Sequence, residues 1–293
     1  MNMNSYPLYI PSKGRWKTRL TSDFLSKNMS CHHHIVVEED QLKQYQAATK
    51  GNRFVKLIVL DKAYQREYDA FDNLGMEKSK GSGPARNFIW DHASGAGHAY
   101  HWIMDDNIRA FYRLNRNIKA RVTNGKIFRA MEAFAERYEN LGMSGPHYEM
   151  FVPRKFKRRP FVFNTRIFSC NLIRNDIPFR WRGRYNEDAD LSIRLLKNGW
   201  CTVLFYAFLQ EKKTTQSMKG GNTDEIYKHG TLDKSKMLVE MHPDVCKLVK
   251  RYGRWHHQCN YKKFSKLKLK FKEGISIDEG VDDFGMKLRN NWN

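Results

Sequence analysis

Long apolar runs are missing from this chain. No stretch of its 293 residues approaches the roughly 18 apolar residues that a membrane-spanning helix requires, so no passage through a membrane is expected. The stretch MNMNSYPLYIPSKGR lacks a basic segment followed by an apolar one, so it does not read as a secretory signal, and a cytoplasmic protein is expected. Cysteine is scarce. The five cysteines (Cys31, Cys170, Cys201, Cys246, Cys259) are odd in number and never spaced C-x-x-C. That argues for reduced thiols and against a disulfide framework or a zinc finger. Internal repeats and low-complexity linkers are absent too. Acid is the last shortage: 31 Asp+Glu face 52 Lys+Arg, a net charge of +21. A chain this basic is expected to meet a polyanion, with phosphodiester backbone as the first candidate and an anionic membrane surface as its competitor.

The excess is concentrated in two blocks. Residues 154–184 carry ten basic side chains, including Arg158, Arg159, Arg180, Arg182 and Arg184, against a single acid, Asp176. Residues 247–272 carry ten more and no acid. That block ends in KLKLKFK, whose alternation predicts a strand with Lys266, Lys268, Lys270 and Lys272 on one face and Leu267, Leu269 and Phe271 on the other. Such a row can track phosphates, and it can equally protect an edge strand.

The first half alternates between strand and helix patterns: PLYIP, a helix near 18–27, HHHIVVEE, the helix EDQLKQYQAATKG closed by Gly51, FVKLIVLD, a helix opening at Pro84, and AYHWIMDD. Alternation of this kind predicts an α/β fold with a mostly parallel sheet covered by helices on both faces. Ile127, Met131, Phe134, Tyr138 and Leu141 recur at helical spacing up to Gly142. EMFVP, PFVFNTRIFSCNLIR and CTVLFYAFLQ read as strands, and EDADLSIRLLKNGW reads as an amphipathic helix closed by Gly199. Residues 223–253 read as helical with breaks at Gly230 and Pro243.

Parallel strands point the same way, so their carboxyl ends share one edge, which is where such sheets bind ligands. The predicted ends are Pro11-Ser12-Lys13-Gly14-Arg15, Glu38-Glu39 and Asp105-Asp106-Asn107, and a helix carries Arg86 and Asn87 in its first turn. Adjacent carboxylates and an amide are hard oxygen ligands that suit Mg²⁺ or Mn²⁺ on a diphosphate. A helix N-terminus and an arginine suit phosphate oxygens. Each piece also has an ordinary reading, because Asp-Asp-Asn is good turn material. Glu187, Asp188 and Asp190 form a second acidic cluster at a helix start, where the helix dipole already favours carboxylates, but a carboxylate there can also deprotonate a hydroxyl. In RWHHQCNY, His256 or His257 is a further metal-ligand candidate beside a plain surface reading. His32, His33 and His34 have no spaced partners and read as structural.

The order YIPSKGR, VVEE, GSGPARN, WIMDDN and NEDADLSIRLLKNGW resembles the inverting GT-A fold glycosyltransferases. YIPSKGR, GPARN and IMDDN resemble most closely the phage TET-associated glycosyltransferases, which are thought to glycosylate 5-hydroxymethylpyrimidines in DNA. The resemblance spans roughly residues 6–210 and implies a Rossmann-like mixed sheet flanked by helices. It divides the chain into a glycosyltransferase domain over 1–265 (nucleotide-sugar half 1–115, acceptor half 116–265) and a basic strand and tail over 266–293. It assigns Pro11, Ser12, Arg15 and Glu38 to the nucleotide. Arg86 and Asn87 go to nucleotide or diphosphate, Asp105 to ribose and metal, and Asp106, Asn107 and His256 to the metal. Asp188 becomes the catalytic base with Glu187 beside it. Asn107 departs from the aspartate of many relatives and leaves the metal one charge poorer. The implied reaction moves a sugar from a UDP-sugar, with Mn²⁺ or Mg²⁺, to 5-hydroxymethylcytosine in phage DNA, with Trp181 or Trp255 available to stack for a flipped base. The rival readings are a transferase acting on a polysaccharide or lipid-linked glycan, and a basic DNA-binding protein or metal nuclease.

Overall fold

The structure is a computed structural model that describes residues 4–74, 79–115, 117–153, 159–213 and 232–275. Its centre is one mixed sheet in the order β3-β2-β1-β4-β9-β7-β10-β5-β6, with β8 pairing on β10. The strands are β1 (Leu8–Pro11), β2 (His33–Val37), β3 (Val55–Val59), β4 (Tyr100–Met104), β5 (Ile108–Asn115), β6 (Ile118–Arg121), β7 (Leu141–Tyr148), β8 (Phe161–Phe163), β9 (Cys170–Arg174) and β10 (Cys201–Lys212). β1 to β4 are parallel, β9 is antiparallel to β4 and β7, and β10 runs parallel to β7. This is the mixed α/β architecture expected from the sequence.

Period-two alternation splits the apolar residues between two faces. Leu8, Ile10, Trp102 and Met104 pack under α1 (Leu20–Met29) and α5 (Lys126–Ala135). Tyr9 and Ile103 pack on the other face against Ile89, Trp90, Leu191 and Leu195 of α4 (Gly83–Gly95) and α6 (Glu187–Lys197). The helices α2 (Leu42–Thr49) and α3 (Lys62–Glu67) complete the first half, and Tyr45 of α2 closes a small cluster over β2. Among the described residues no helix is long and apolar enough to cross a membrane.

Several expectations are corrected. α5 ends at Ala135, and Leu141 and Gly142 open β7 instead of closing the helix. Gly142, Gly145 and Pro146 are poor strand formers, which hides β7 in the sequence. Gly145 is required there, since a Cβ would lie 2.1 Å from the Cys170 carbonyl oxygen of β9. Residues 149–151 of EMFVP form a short 3-10 turn, not a strand. Of 223–253, residues 223–231 lie outside the described set. Among the described residues of that span only α7 (Leu232–Met241) is helical, and Cys246–Arg251 (β11) pairs with Arg254–Cys259 (β12) as a separate antiparallel hairpin. Cys246 and Cys259 form a disulfide at the hairpin base, contrary to the all-thiol expectation, while Cys31, Cys170 and Cys201 are buried and free. KLKLKFK alternates in exposure as expected from Lys266 to Lys270, but Phe271 is exposed and Lys272 half-buried, and the segment is an extended strap with an isolated bridge from Phe271 to Tyr138. It is fastened by Asn140 through the Lys268 carbonyl and the Lys270 amide.

Candidate active site

The predicted strand ends do share one edge. A cavity of about 420 Å³ lies there, lined by Pro11 at the end of β1 and Ser12 after it, Glu38 after β2, Asp105 to Asn107 after β4, Tyr148 of β7 and Lys212 of β10. β9 runs the other way and brings Ser169, just before its first residue, to the same edge. The first turn of α6 closes the cavity with Glu187 and Asp188.

The loop after β1 is built from the backbone outward. Gly14 turns in a left-handed conformation, and its amide donates to Gln41. The Arg15 amide donates to the Tyr45 hydroxyl, which hydrogen-bonds Ser12 Oγ. Arg15 and Ser12 both reach Asp106: the guanidinium binds Oδ1 and the hydroxyl donates to Oδ2 at 2.9 Å. The turn after β4 is tied down by Thr21, whose hydroxyl donates to the Asp105 carbonyl and accepts from the Ile108 amide. Glu38 pairs with Lys13 at 3.2 Å and accepts from Gln65.

Arg86 sits at the centre. Its buried guanidinium stacks on Trp181 and binds Asp188, with Asp105 at 3.0 Å and Glu187 at 3.7 Å. Burial works against its charge, but the three carboxylates hold it firmly protonated. Arg86 was expected on nucleotide or diphosphate; in the cavity wall it draws together acids from two elements through its fork of donors. Asn87 was expected there too. Its side chain grips the Trp181 backbone at both N and O, and it does not line the cavity. Trp181 is 1% exposed and cannot stack on an acceptor.

Asp105 and Asp188 share Arg86 yet titrate far apart. Burial raises Asp105, but Lys212 and Arg86 outweigh it and hold the carboxyl at about 2. Burial also raises Asp188; Arg86 opposes this, Glu187 and Asp105 add to it, and the carboxyl stands at about 6. Asp188 accepts weakly from Asn171 and from the Ser169 amide, both at 3.3 Å. Glu187 accepts from Ser82.

Sequence reasoning missed Lys212 and Ser169. Lys212 Nζ lies 2.5 Å from Asp105 Oδ2 and 2.8 Å from Ser169 Oγ. Ser169 holds a left-handed φ of 60°, sparsely populated for a non-glycine residue and often retained at functional sites. Its carbonyl binds the Asp105 amide and its hydroxyl meets Tyr148. Lys212 was legible, as the cation at the carboxyl end of a predicted strand. Ser169 carried no such signal. Lys234 of α7 and Arg166 bring two more cations to the cavity wall.

The divalent-cation expectation meets a crowded donor set. Both oxygens of Asp105 and both of Asp106 already accept from protein donors. Among the described residues no three His, Cys, Asp or Glu side chains converge as a metal cage. Asn107 donates to the Lys213 carbonyl, while its buried Oδ1 has no hydrogen-bond partner among the described residues. The set therefore fits Mg²⁺ or Mn²⁺ arriving on phosphate oxygens and taking one or two protein ligands, but not a cation held by protein alone. His257, not His256, lines this cavity, and burial pushes its imidazole down to about 4, so it is neutral; His256 lines a neighbouring cavity.

The expected DNA-binding arginines separate. Arg184 is buried and binds Asp72 at 2.6 Å, and Arg182 binds the buried Asp190 at 3.1 Å, so both cations are already matched by acids inside the fold. Arg180 pairs with Asp91 at the surface at 3.2 Å. Arg159 is exposed, and Arg158 lies outside the described residues. Lys266, Lys268 and Lys270 are exposed but run beside the start of β7. The cavity is at the end of that eight-residue strand, roughly 25 Å away.

A family model described as TET-Associated Glycosyltransferase matches residues 6–221. The chain belongs to that family. The match spans every strand of the central sheet that reaches the cavity edge, together with the helices carrying Arg86 and Asp188. No curated protein matches the chain. Membership of the TET-associated glycosyltransferases makes sugar transfer the reaction class of the chain. α7 and the β11–β12 hairpin, which add Lys234 and His257, lie beyond the matched region.

Proposed function

We propose that this glycosyltransferase moves a sugar, with inversion, from a nucleoside diphosphate sugar to the hydroxymethyl group of a 5-hydroxymethylpyrimidine in DNA. UDP-sugar is the expected donor and 5-hydroxymethylcytosine the expected base. The observation that carries the chemistry is the split between two carboxylates on one arginine: Asp105 fully ionised, Asp188 poised near neutrality. Groups whose environments drive their pKa values apart mark acid–base assignments.

In this reading Asp188 accepts the proton of the acceptor hydroxyl as its oxygen attacks the anomeric carbon. The bond from that carbon to the diphosphate oxygen breaks, and the electron pair leaves with the diphosphate. Lys212, Lys234 and Arg166 face the charge that develops there. Asp105 keeps Lys212 protonated although burial opposes it. Pro11, Ser12 and Glu38 are the residues for base and ribose. Mg²⁺ or Mn²⁺, if brought by the donor, would rest on Asp106 and the amide oxygen of Asn107 and add neutralising charge to the diphosphate. The acceptor assignment is supported by the family and by the net charge of +21.

The test is to incubate the protein with Mn²⁺, a panel of nucleotide sugars, and DNA bearing cytosine or 5-hydroxymethylcytosine, then digest to nucleosides and weigh them. A gain of one sugar on the hydroxymethylated base alone is expected. Transfer to polysaccharide acceptors, with no gain on any DNA, would overturn the acceptor.

A further inference from the structure

The β11–β12 hairpin carries a feature that stability alone does not favour. Its two-residue turn, Tyr252-Gly253, has φ values of 51° and 71°. Such turns need positive φ at both central residues and favour Asn-Gly, Asp-Gly or Gly-Gly. A bulky residue there is an outlier, and strain of this kind is commonly retained for function. The ring gains nothing from burial in return, since Tyr252 is 97% exposed.

The surroundings are basic and aromatic. Lys250, Arg251 and Arg254 flank the tip, all exposed, and the Lys250 ammonium lies 5.9 Å over the Trp255 ring. No acid occurs between Asp244 and Glu273. The base of the arm is fixed, by the Cys246–Cys259 disulfide and by an apolar cluster joining Val245 and Cys246 to Ala189 and Ile193 of α6, the helix of Asp188. A second cavity of about 420 Å³ runs along the hairpin past Arg251 and Tyr252, and it shares Arg166 and His257 with the catalytic cavity. His257 and the last strand pair, Arg251 with Arg254, are three residues apart, roughly 10 Å of strand.

We propose that this hairpin is a nucleic-acid arm. Tyr252 stacks on an unstacked base, Arg251 and Arg254 hold the adjoining phosphates, and the groove over Arg166 and His257 leads the strand to Asp188. The proposal rests on the DNA-acceptor reading. Stacking platforms combined with cationic grooves are how strands are held without sequence preference, and an aromatic at the tip suits the gap left by a base drawn out for chemistry.

The test is binding of a fluorescein-labelled single-stranded oligodeoxynucleotide containing 5-hydroxymethylcytosine, without sugar donor, to the wild type, Tyr252→Ala, Tyr252→Phe and Arg251→Gln. Tyr252→Ala is expected to weaken binding by roughly five- to a hundredfold with an unchanged salt slope, and Tyr252→Phe to restore it. Arg251→Gln is expected to lower the slope of log K against log salt by about 0.7, one phosphate contact on a single strand. Tyr252 packs against nothing, so an unchanged thermal midpoint is expected and confirms the fold. Equal DNA binding by Tyr252→Ala overturns the arm while leaving the acceptor reading intact. No DNA binding by the wild type overturns both. Tyr252-dependent binding to phosphatidylglycerol vesicles, with DNA binding indifferent to Tyr252, overturns the arm in favour of a membrane surface.

Discussion

Asp188 and Asp190 stand two residues apart in the first turn of one helix, both among arginines, and their chemistry diverges. Asp190 accepts from Arg182, from Arg194 at 2.8 Å and from His242 at 2.9 Å. Burial raises its pKa, but these three partners outweigh burial and hold it low. Among the described residues Asp188 has one cation in direct contact, Arg86, and shares it with Asp105 and Glu187. In the proposed reading, what separates a structural carboxylate from a reactive one is the number of cations per acid. Asp190 is saturated, and Asp188 is left with a partial share and a proton affinity near neutrality.

The largest effect expected from breaking this comparison comes from Asp188→Asn. Loss of a general base typically lowers turnover by about 10²–10⁴-fold, while nucleotide binding, measured by calorimetry, should be kept. Asp190→Asn should do the opposite. It leaves two arginines without their acid and is expected to cost about 3–5 kcal/mol in denaturant unfolding, with turnover per folded molecule little changed. Equal losses of activity in the two variants would remove the distinction drawn between them.

Lys212→Met comes next. Removing a preorganised charge from a developing anion costs on the order of a hundredfold in turnover, and the pKa of Asp105 should rise, since Lys212 is its strongest cationic partner. Chelation of divalent cations in the wild type is expected to lower transfer less than Lys212→Met does, because Arg15, Arg86 and Lys212 already neutralise the carboxylates that a metal would use. A larger loss on chelation would return the main charge-stabilising role to the metal.

The sequence shows the edge of this site better than its interior. Strand ends follow from alternation, so Ser12, Glu38 and Asp105 can be placed together before any coordinates exist. The partners of Arg86 and Arg184 cannot, because an arginine reaches acids about 100 residues away (Asp188 and Asp72, respectively) and no periodicity records which acid it meets. β7 escaped because its glycines answer to close neighbours, Gly145 to the Cys170 carbonyl of β9 and Gly142 to Leu195 of α6 and Trp200. The hairpin escaped because apolar residues in CKLVKR suit either period.

The finest test concerns pH. Asp188 must be ionised to act as a base, so transfer should fall as pH drops through about 6 and level off above it. Glu187 raises Asp188 as a like charge. Glu187→Gln removes that repulsion, favours the ionised form, and should move the midpoint of kcat against pH downward by less than about one unit. The turnover on the plateau should fall only slightly, since a base of lower pKa is a weaker proton acceptor. Loss of transfer at every pH would mean that Glu187 itself is the base, and the two neighbours would have to exchange roles.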